Sequence, residues 1–164
     1  MMKEKILWIC VGIPGSGKST WCAKQQEDMM HYVSRDAIRF ASLNSNDNYF
    51  ANEKKVYNLF VTEIQKWLDA GESVLADATH INWASRNKLI KSLCLDGVKV
   101  NCLVFKTPIK VCQERNNQRE GRAKVPAAVI TKMAKDMTHP RTDPYTYNQI
   151  YNVYPLDNQQ VIVI

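Results

Sequence analysis

Gly12-Ile13-Pro14-Gly15-Ser16-Gly17-Lys18-Ser19-Thr20 fits the pattern G-x-x-x-x-G-K-[ST] at every fixed position. An apolar run, residues 6–11, stands directly before it, and neither Pro nor Gly occurs again before Gly71. A buried strand, a glycine-rich turn and a helix are the structural context in which this pattern binds phosphate. The stretch therefore predicts a P-loop, and with it the fold of the whole chain.

Each residue type in the P-loop has a chemical task. The glycines let backbone N–H groups approach phosphate oxygens closely. Lys18 supplies a positive charge for the β- and γ-phosphates, and the Ser19 hydroxyl is a ligand for Mg²⁺. We therefore predict ATP and Mg²⁺ as cofactors. The residues predicted to contact the nucleotide are Gly12, Pro14, Gly15, Ser16, Gly17, Lys18, Ser19, Thr20 and, from a later helix, Arg115.

Composition limits the class of protein. A chain of 164 residues is expected to form one domain, here residues 1–164. Its net charge of +6 favours an anionic partner such as nucleic acid, although ATP alone accounts for part of that charge. Its five cysteines include no C-x-x-C pair and are interpreted as reduced thiols. We expect a cytoplasmic protein with no membrane span and no stable protein partner.

Strand and helix patterns alternate along the chain. Strands are predicted at about 5–11, 31–34, 73–77, 98–106 and 150–154, and one at 161–164 is left open. Helices are predicted at about 17–28, from 35, and at 53–70, 83–95, 108–118 and 126–137. This alternation predicts a three-layer α/β fold, in which a mostly parallel sheet carries helices on both faces. Ligands of such sheets bind at the carboxyl ends of the strands.

Phosphoryl transfer from ATP requires four parts, and the sequence offers a candidate for each. The P-loop is the phosphate cradle, and Asp77 joins Ser19 as a metal contact. Asp36 follows the second strand and can take a proton from an acceptor hydroxyl, with Arg39 on the same helical face. A surface ion pair and a turn residue are the alternatives for Asp36 and Asp77. The mobile positive charge is a cluster in a lid near 119–125 and the helix before it: Arg115, Arg119 and Arg122.

Four blocks of sequence together resemble the 5′-kinase domain of the polynucleotide kinase family. They are 12–21, with the P-loop; 34–39, Ser-Arg-Asp-Ala-Ile-Arg; 77–82, Asp-Ala-Thr-His-Ile-Asn, with Arg86; and 115–126, from Arg-Asn to Val-Pro. The resemblance implies transfer of the γ-phosphate of ATP or another nucleoside triphosphate to a 5′-OH DNA or RNA end. It implies sheet order 2-3-1-4-5, Asp36 as general base, and Arg39 on the acceptor or the scissile phosphate. It also implies acceptor contacts from Thr79, Asn82 and Arg86.

The chain departs from the family pattern in three places. The lid is one residue longer than in the phage enzyme, so the essential lid arginine is Arg119 or Arg122, and we favour Arg119. His80 stands where the family often has Asn. No D-x-D-x-T motif occurs, so the 3′-phosphatase domain is not expected. The alternatives are a small-molecule hydroxyl kinase of the same fold and a nucleotide-binding module without catalysis.

Overall fold

A six-stranded sheet forms the centre of the computed structural model, which describes residues 3–25, 30–44, 46–48, 50–155 and 160–163. Its strands are β1 Lys5–Val11, β2 Met30–Ser34, β3 Ser73–Asp77, β4 Val98–Phe105, β5 Gln149–Tyr154 and β6 Gln160–Val163. Their spatial order is β2-β3-β1-β4-β5-β6, and all neighbours are parallel except β5 and β6. The predicted parallel order 2-3-1-4-5 is confirmed, and β6 continues the sheet as an antiparallel strand.

Six α-helices accompany the strands within the described residues. They are α1 Lys18–Lys24, α2 Arg35–Ser42, α3 Glu53–Asp69, α4 Trp83–Ser92, α5 Ile109–Asn117 and α6 Ala127–Asp136. The predicted end of α1 lies outside the described residues. Helix α4 ends three residues before the predicted 95, because Leu93 turns into the core and Gln65 Oε1 accepts the Cys94 N–H at 2.8 Å.

Strand β1 lies between β3 and β4 and is covered on both faces. Leu7, Ile9 and Val11 belong to a buried cluster that includes Phe60 of α3 and Leu89 of α4. The intervening Cys10 belongs to a second cluster, with Trp21 and Cys22 of α1. Covered strands of this kind read as continuous apolar runs, which is why the sequence before the P-loop does not alternate.

A third apolar cluster supports the P-loop from the side. It joins Ile13 of the loop to Cys112 of α5, Ile130 of α6 and Val125 between these two helices. The P-loop therefore rests on packed side chains, and the carboxyl ends of β1 to β4 converge beside it.

All five cysteines are free thiols, and Cys94 is the exposed one. None of the helices in the described part of the chain has the length and apolar character needed to cross a bilayer.

Candidate active site

The P-loop begins where β1 ends and closes on the first turn of α1. Gly15 has φ +83°, and a Cβ there would lie 2.5 Å from the Cys112 carbonyl oxygen, so the loop requires glycine at that position. Gly17, with φ +89°, precedes the first residue of α1. Thr107 Oγ1 donates to the Ser16 carbonyl at 2.7 Å and ties the loop to the end of β4. The loop is thus fixed in place, and its residues Pro14, Gly15 and Gly17 line one pocket.

Lys18 arches back over this turn. Its ammonium Nζ lies 3.2 Å from the Ile13 carbonyl oxygen and 3.5 Å from Ser16 Oγ. The side chain is nearly buried, so its positive charge is held in one position at the loop. A positive charge held at a glycine-rich loop suits a polyphosphate.

One pocket brings together most of the residues predicted to contact nucleotide and acceptor. Gly12 and Ser16 are buried within the loop and do not line it. The predicted residues that line it are Pro14, Gly15, Gly17, Lys18, Ser19, Thr20, Asp36, Arg39, Asp77, Thr79 and Arg119. The other residues that line it are Ser34, Arg35, Phe50, Ala78, Val125 and Met133.

Ser19 and Asp77 form the candidate metal-binding pair. Ser19 Oγ donates to Asp77 Oδ2 at 2.7 Å, and the Tyr32 hydroxyl donates to the same oxygen at 2.5 Å. No group of three or more His, Cys, Asp or Glu side chains suited to a metal occurs among the described residues. Mg²⁺ takes one or two protein oxygens and fills its shell with water and phosphate. The Ser19–Asp77 pair, at the mouth of a phosphate cradle, fits that ion.

Tyr32 was not singled out from the sequence. Half-buried and facing the Asp77 carboxylate, it has a pKa raised well above the ordinary tyrosine value, so it stays protonated and donates to that carboxylate. It lies in β2, and Ser34 of the same strand pairs in register with Asp77 of β3. Strand pairing, which a sequence pattern alone does not reveal, brings the tyrosine to the metal pair.

The opposite wall of the pocket carries a network of charged groups. Arg39 is nearly buried and its Nη1 contacts the Asp36 carboxylate. Glu53, the first residue of α3, accepts from Arg39 Nε at 2.8 Å and from Nη2 at 3.1 Å. Its Oε2 also accepts from Arg35 Nη2 at 2.9 Å. This clamp fixes the plane of the Arg39 guanidinium, whereas the side chain of Asp36 remains 56% exposed.

Glu53 is a functional candidate that no pattern in the sequence indicates. It begins a predicted helix, and an acidic residue in the first turn of a helix is common enough to carry no functional signal. It lies 14 residues after Arg39 in the sequence, so no helical spacing pairs the two.

The three lid arginines have different surroundings. Arg119 lines the pocket and is exposed. Arg115 lies outside it, where its Nη1 donates to the Gly15 carbonyl at 3.2 Å. Arg122 lies in the 3₁₀ turn Gly121–Ala123 and donates to the Asn44 carbonyl at 2.8 Å. The Arg122 contact joins the lid to the loop before α3.

The two ends of the lid are clasped by one side chain. Asn116 Nδ2 donates to the Val125 carbonyl at 2.6 Å, and its Oδ1 accepts the Val125 N–H at 2.9 Å. The segment between these residues therefore projects from a fixed base. Its predicted mobility stays a prediction.

The structure corrects the expectation for Arg86. This side chain is fully buried and forms a 2.7 Å ion pair with Asp143, whose own side chain is 1% exposed. Its remaining N–H groups donate to Thr138 and to the His80 carbonyl. All five donors are used within the protein, so none is available to an acceptor phosphate. Arg86 holds α4 to the loop after α6.

The side chains of Asn82 and His80 also make contacts within the protein that stabilise the fold. Asn82 Oδ1 caps α4 by accepting the Ser85 N–H at 3.0 Å, and Asn82 does not line the pocket. His80 is buried with φ +42°, and its Nδ1 lies 2.9 Å from the Cys10 carbonyl oxygen. Burial, together with the positive charges of Arg35, Lys18 and Arg86, lowers its pKa to about 4 despite that hydrogen bond. His80 is therefore neutral near pH 7.

Residues 7–140 match a family model described as an AAA domain. The match spans well over half of the chain, so the chain belongs to this family, and its fold is that of the P-loop kinases. This fold implies nucleotide binding. No curated protein matches the sequence.

Solved structures resemble the chain at low identity. A chain of the Pnkp1/Rnl/Hen1 RNA repair complex is 25% identical, with a TM-score of 0.67 over 83% of this chain and 45% of that one. Kti12 from Chaetomium thermophilum, in complex with ADP-AlF3, is 16% identical, with a TM-score of 0.66 over 92% of this chain and 90% of that one. A sugar kinase from Janibacter is 16% identical, with a TM-score of 0.62 over 92% and 86%. The chain spans just under half the length of the RNA-repair chains that it matches.

Proposed function

We propose that this protein is an ATP-dependent polynucleotide 5′-hydroxyl kinase. The observation that carries the proposal is the pairing of two walls in one pocket. Lys18 and Ser19 stand on the nucleotide wall, and Asp36 and Arg39 stand on the other. Such a pocket suits transfer of a phosphoryl group from a nucleotide to an acceptor held against the second wall.

The acceptor wall favours a phosphorylated acceptor over a neutral one. It presents two guanidinium groups, Arg35 and Arg39, and guanidinium is the side chain best suited to bind phosphate oxygens in pairs. A 5′-OH nucleic acid end carries a phosphate one sugar away from the reacting hydroxyl, whereas a simple sugar carries none. The net charge of +6 and the likeness to a chain of an RNA repair complex support the same class.

Each of the pocket residues has its own role in the proposed reaction. The Asp36 carboxylate accepts the proton of the 5′-hydroxyl as its oxygen attacks the γ-phosphorus. The bond between that phosphorus and the bridging oxygen of ADP breaks, and ADP leaves. Lys18 and Arg119 stabilise the charge on the transferring group. Ser19 and Asp77 would hold Mg²⁺, which neutralises phosphate charge when bound.

A small-molecule hydroxyl kinase is the second candidate. The sugar kinase from Janibacter is covered over 86% of its length, so the same architecture serves a small acceptor in a protein of similar size. The two candidates share the P-loop and the Asp36 base but differ in the acceptor that the second wall binds.

Transfer of label from γ-labelled ATP, with Mg²⁺, separates the two. The acceptors are 5′-OH DNA and RNA oligonucleotides, nucleoside 3′-phosphates, and a panel of sugars and nucleosides. We expect label on the phosphorylated acceptors, and none with Lys18→Ala, which should retain the wild-type melting temperature. Label confined to sugars or nucleosides would overturn the proposal, and loss of the fold in Lys18→Ala would assign that lysine a structural role.

A further inference from the structure

Arg35 links the pocket to the outer surface of two helices. It is the first residue of α2 and lines the acceptor wall. Its guanidinium carbon lies 5.4 Å from the centre of the Tyr57 ring on α3. Its Nε is buried and, within the described part of the chain, has no hydrogen-bond partner. The guanidinium thus keeps an unsatisfied donor at the edge of the pocket.

Tyr57 is held in one position by α4. Ser92 Oγ donates its proton to the Lys88 carbonyl at 2.7 Å. In the 2.9 Å contact between Tyr57 and Ser92, the tyrosine hydroxyl must therefore be the donor. This bond fixes the ring between α3 and α4.

Lys88 of α4 completes the row. Its ammonium stands 4.0 Å from the centre of the same ring, close enough for a cation–π contact. The residue is exposed, and no described carboxylate lies within ion-pairing distance of it. The ring therefore orients a cation whose charge is not neutralised.

The surrounding sequence keeps this surface positive. Neither residues 54–62 of α3 nor residues 83–95, which include α4, contain Asp or Glu. Lys54 lies one turn before Tyr57, and Lys91 lies one turn after Lys88. Both are exposed. Basic groups interleaved with an aromatic ring are the chemistry that follows a single-stranded backbone.

We propose that Tyr57 and Lys88 form a track for the acceptor strand beyond its 5′-terminal nucleotide, and that this track continues from Arg35 at the edge of the pocket. The inference rests on the proposed function and names the surface over which the rest of the strand leaves the pocket. Arg35 meets the strand at the pocket edge, and Lys88 binds a phosphate further along. The occupant is a sugar–phosphate backbone, because the row is cationic and continuous with the acceptor wall.

The test compares Lys88→Gln with Lys66→Gln. Lys66 is a matched control because it also stands over an aromatic ring, 4.5 Å from that of Trp67, near the other end of α3. Both variants are assayed on a 5′-OH octanucleotide and on a nucleoside 3′-phosphate, which ends before the track. Binding of the unphosphorylated octanucleotide is followed by fluorescence anisotropy at several salt concentrations.

For the octanucleotide, we expect Lys88→Gln to lower kcat/KM by roughly five-fold and the slope of log affinity against log salt by about 0.7, the value for one phosphate contact on a single strand. The nucleoside 3′-phosphate should react as in the wild type, and Lys66→Gln should change neither acceptor. Equal effects of the two variants, or an effect of Lys88→Gln on both acceptors, would overturn the track. If the wild type transfers phosphate to neither acceptor, the proposed function itself fails.

Discussion

Two arginine–carboxylate clusters at the same edge of the sheet differ in one respect. Arg86 and Asp143 are sealed, with side chains 0% and 1% exposed. Arg39 is nearly as buried, but its partner Asp36 is 56% exposed. All five N–H donors of Arg86 are hydrogen-bonded within the protein. The carboxylate of Asp36, in contrast, lines a pocket.

Exposure of the carboxylate partner, and not the presence of an ion pair, is thus what distinguishes the proposed site of Arg39 from the structural pair of Arg86. A sealed pair offers nothing to a ligand, and breaking it leaves a buried charge uncompensated. An open pair contributes little to stability but keeps a group available for chemistry. Substitutions in the two clusters should therefore differ in their effects on stability and on phosphoryl transfer.

Asp36→Asn should have the largest effect on transfer. Removing a general base lowers the rate by roughly 10²- to 10⁴-fold. The fold should survive, since the side chain is largely exposed. Single-turnover transfer and thermal melting of the same preparation measure both, with Asp136→Asn on α6 as the control. Near-normal transfer by Asp36→Asn would remove Asp36 from the mechanism.

Asp143→Ala should have the largest effect on stability. It leaves the Arg86 charge buried and unpaired, which costs about 3–5 kcal/mol. Urea denaturation is the measurement, and Asp136→Ala, which breaks an exposed pair with Lys132, should cost less than about 1 kcal/mol. If Asp143→Ala does not fold, Asp143→Asn keeps the shape and should still lose stability. An unchanged unfolding free energy in either variant would contradict the sealed-pair interpretation.

Substitutions of Arg119 and Arg122 test which lid arginine acts on the transferring phosphate. Arg119 lines the pocket, so Arg119→Ala should lower transfer by roughly 10²-fold with a smaller effect on ATP binding. Arg122 donates to the Asn44 carbonyl, and Arg122→Ala should be milder. Single-turnover rates and ATP binding of both variants decide between them. A dead Arg122→Ala beside a nearly normal Arg119→Ala would reverse the assignment.

His80 makes the sealed region sensitive to acid. Its carbonyl accepts from Arg86, and its pKa in the folded protein is about 4, against 6.5 in an unfolded chain. As the pH falls, the unfolded state binds the proton before the folded state does. The contribution of neutral His80 to the free energy of unfolding is therefore complete above pH 6.5 and is lost as the pH falls toward 4. The loss amounts to about 3 kcal/mol.

Urea unfolding at pH 7, 5.5 and 4.5 measures this dependence. His80→Asn should show a shallower fall, since it does not titrate and Asn tolerates positive φ. Identical pH profiles for the two proteins would exclude His80 as the source.

Glu53→Gln should give the smallest of these effects. The amide keeps the size of the clamp but loses its charge, so the Arg39 guanidinium is held less firmly. We expect a roughly ten-fold fall in kcat/KM, close to the lower end of the roughly 1.5–3 kcal/mol that a hydrogen bond to a charged group contributes. Glu63→Gln, at an exposed position further along α3, is the control. Equal activity of the two variants would show that Asp36 and the helix alone position Arg39.

The fold was predictable because its signals are local. The apolar run 6–11, the P-loop and the glycines at 71 and 97 each mark an element or its end within a few residues. The structural role of Arg86 was not predictable, because its partner Asp143 is 57 residues away in the sequence and lies in a loop. Glu53 and Tyr32 were missed for the same reason, since each reaches the site through tertiary packing. Strand β6 is not clearly predicted by the sequence, because its four residues carry little periodicity.

The central position of β1 has a consequence for the order in which the protein folds. Its neighbours, β3 and β4, pair with it in registers such as Leu7 with Val74 and Lys5 with Val98. Domains fold as their chain is synthesised, and contacts of large sequence separation form slowly. Strand β1 is synthesised first, but its β4 neighbour is complete only at residue 105. Until then one edge of β1, the strand that leads into the P-loop, has no partner to pair with.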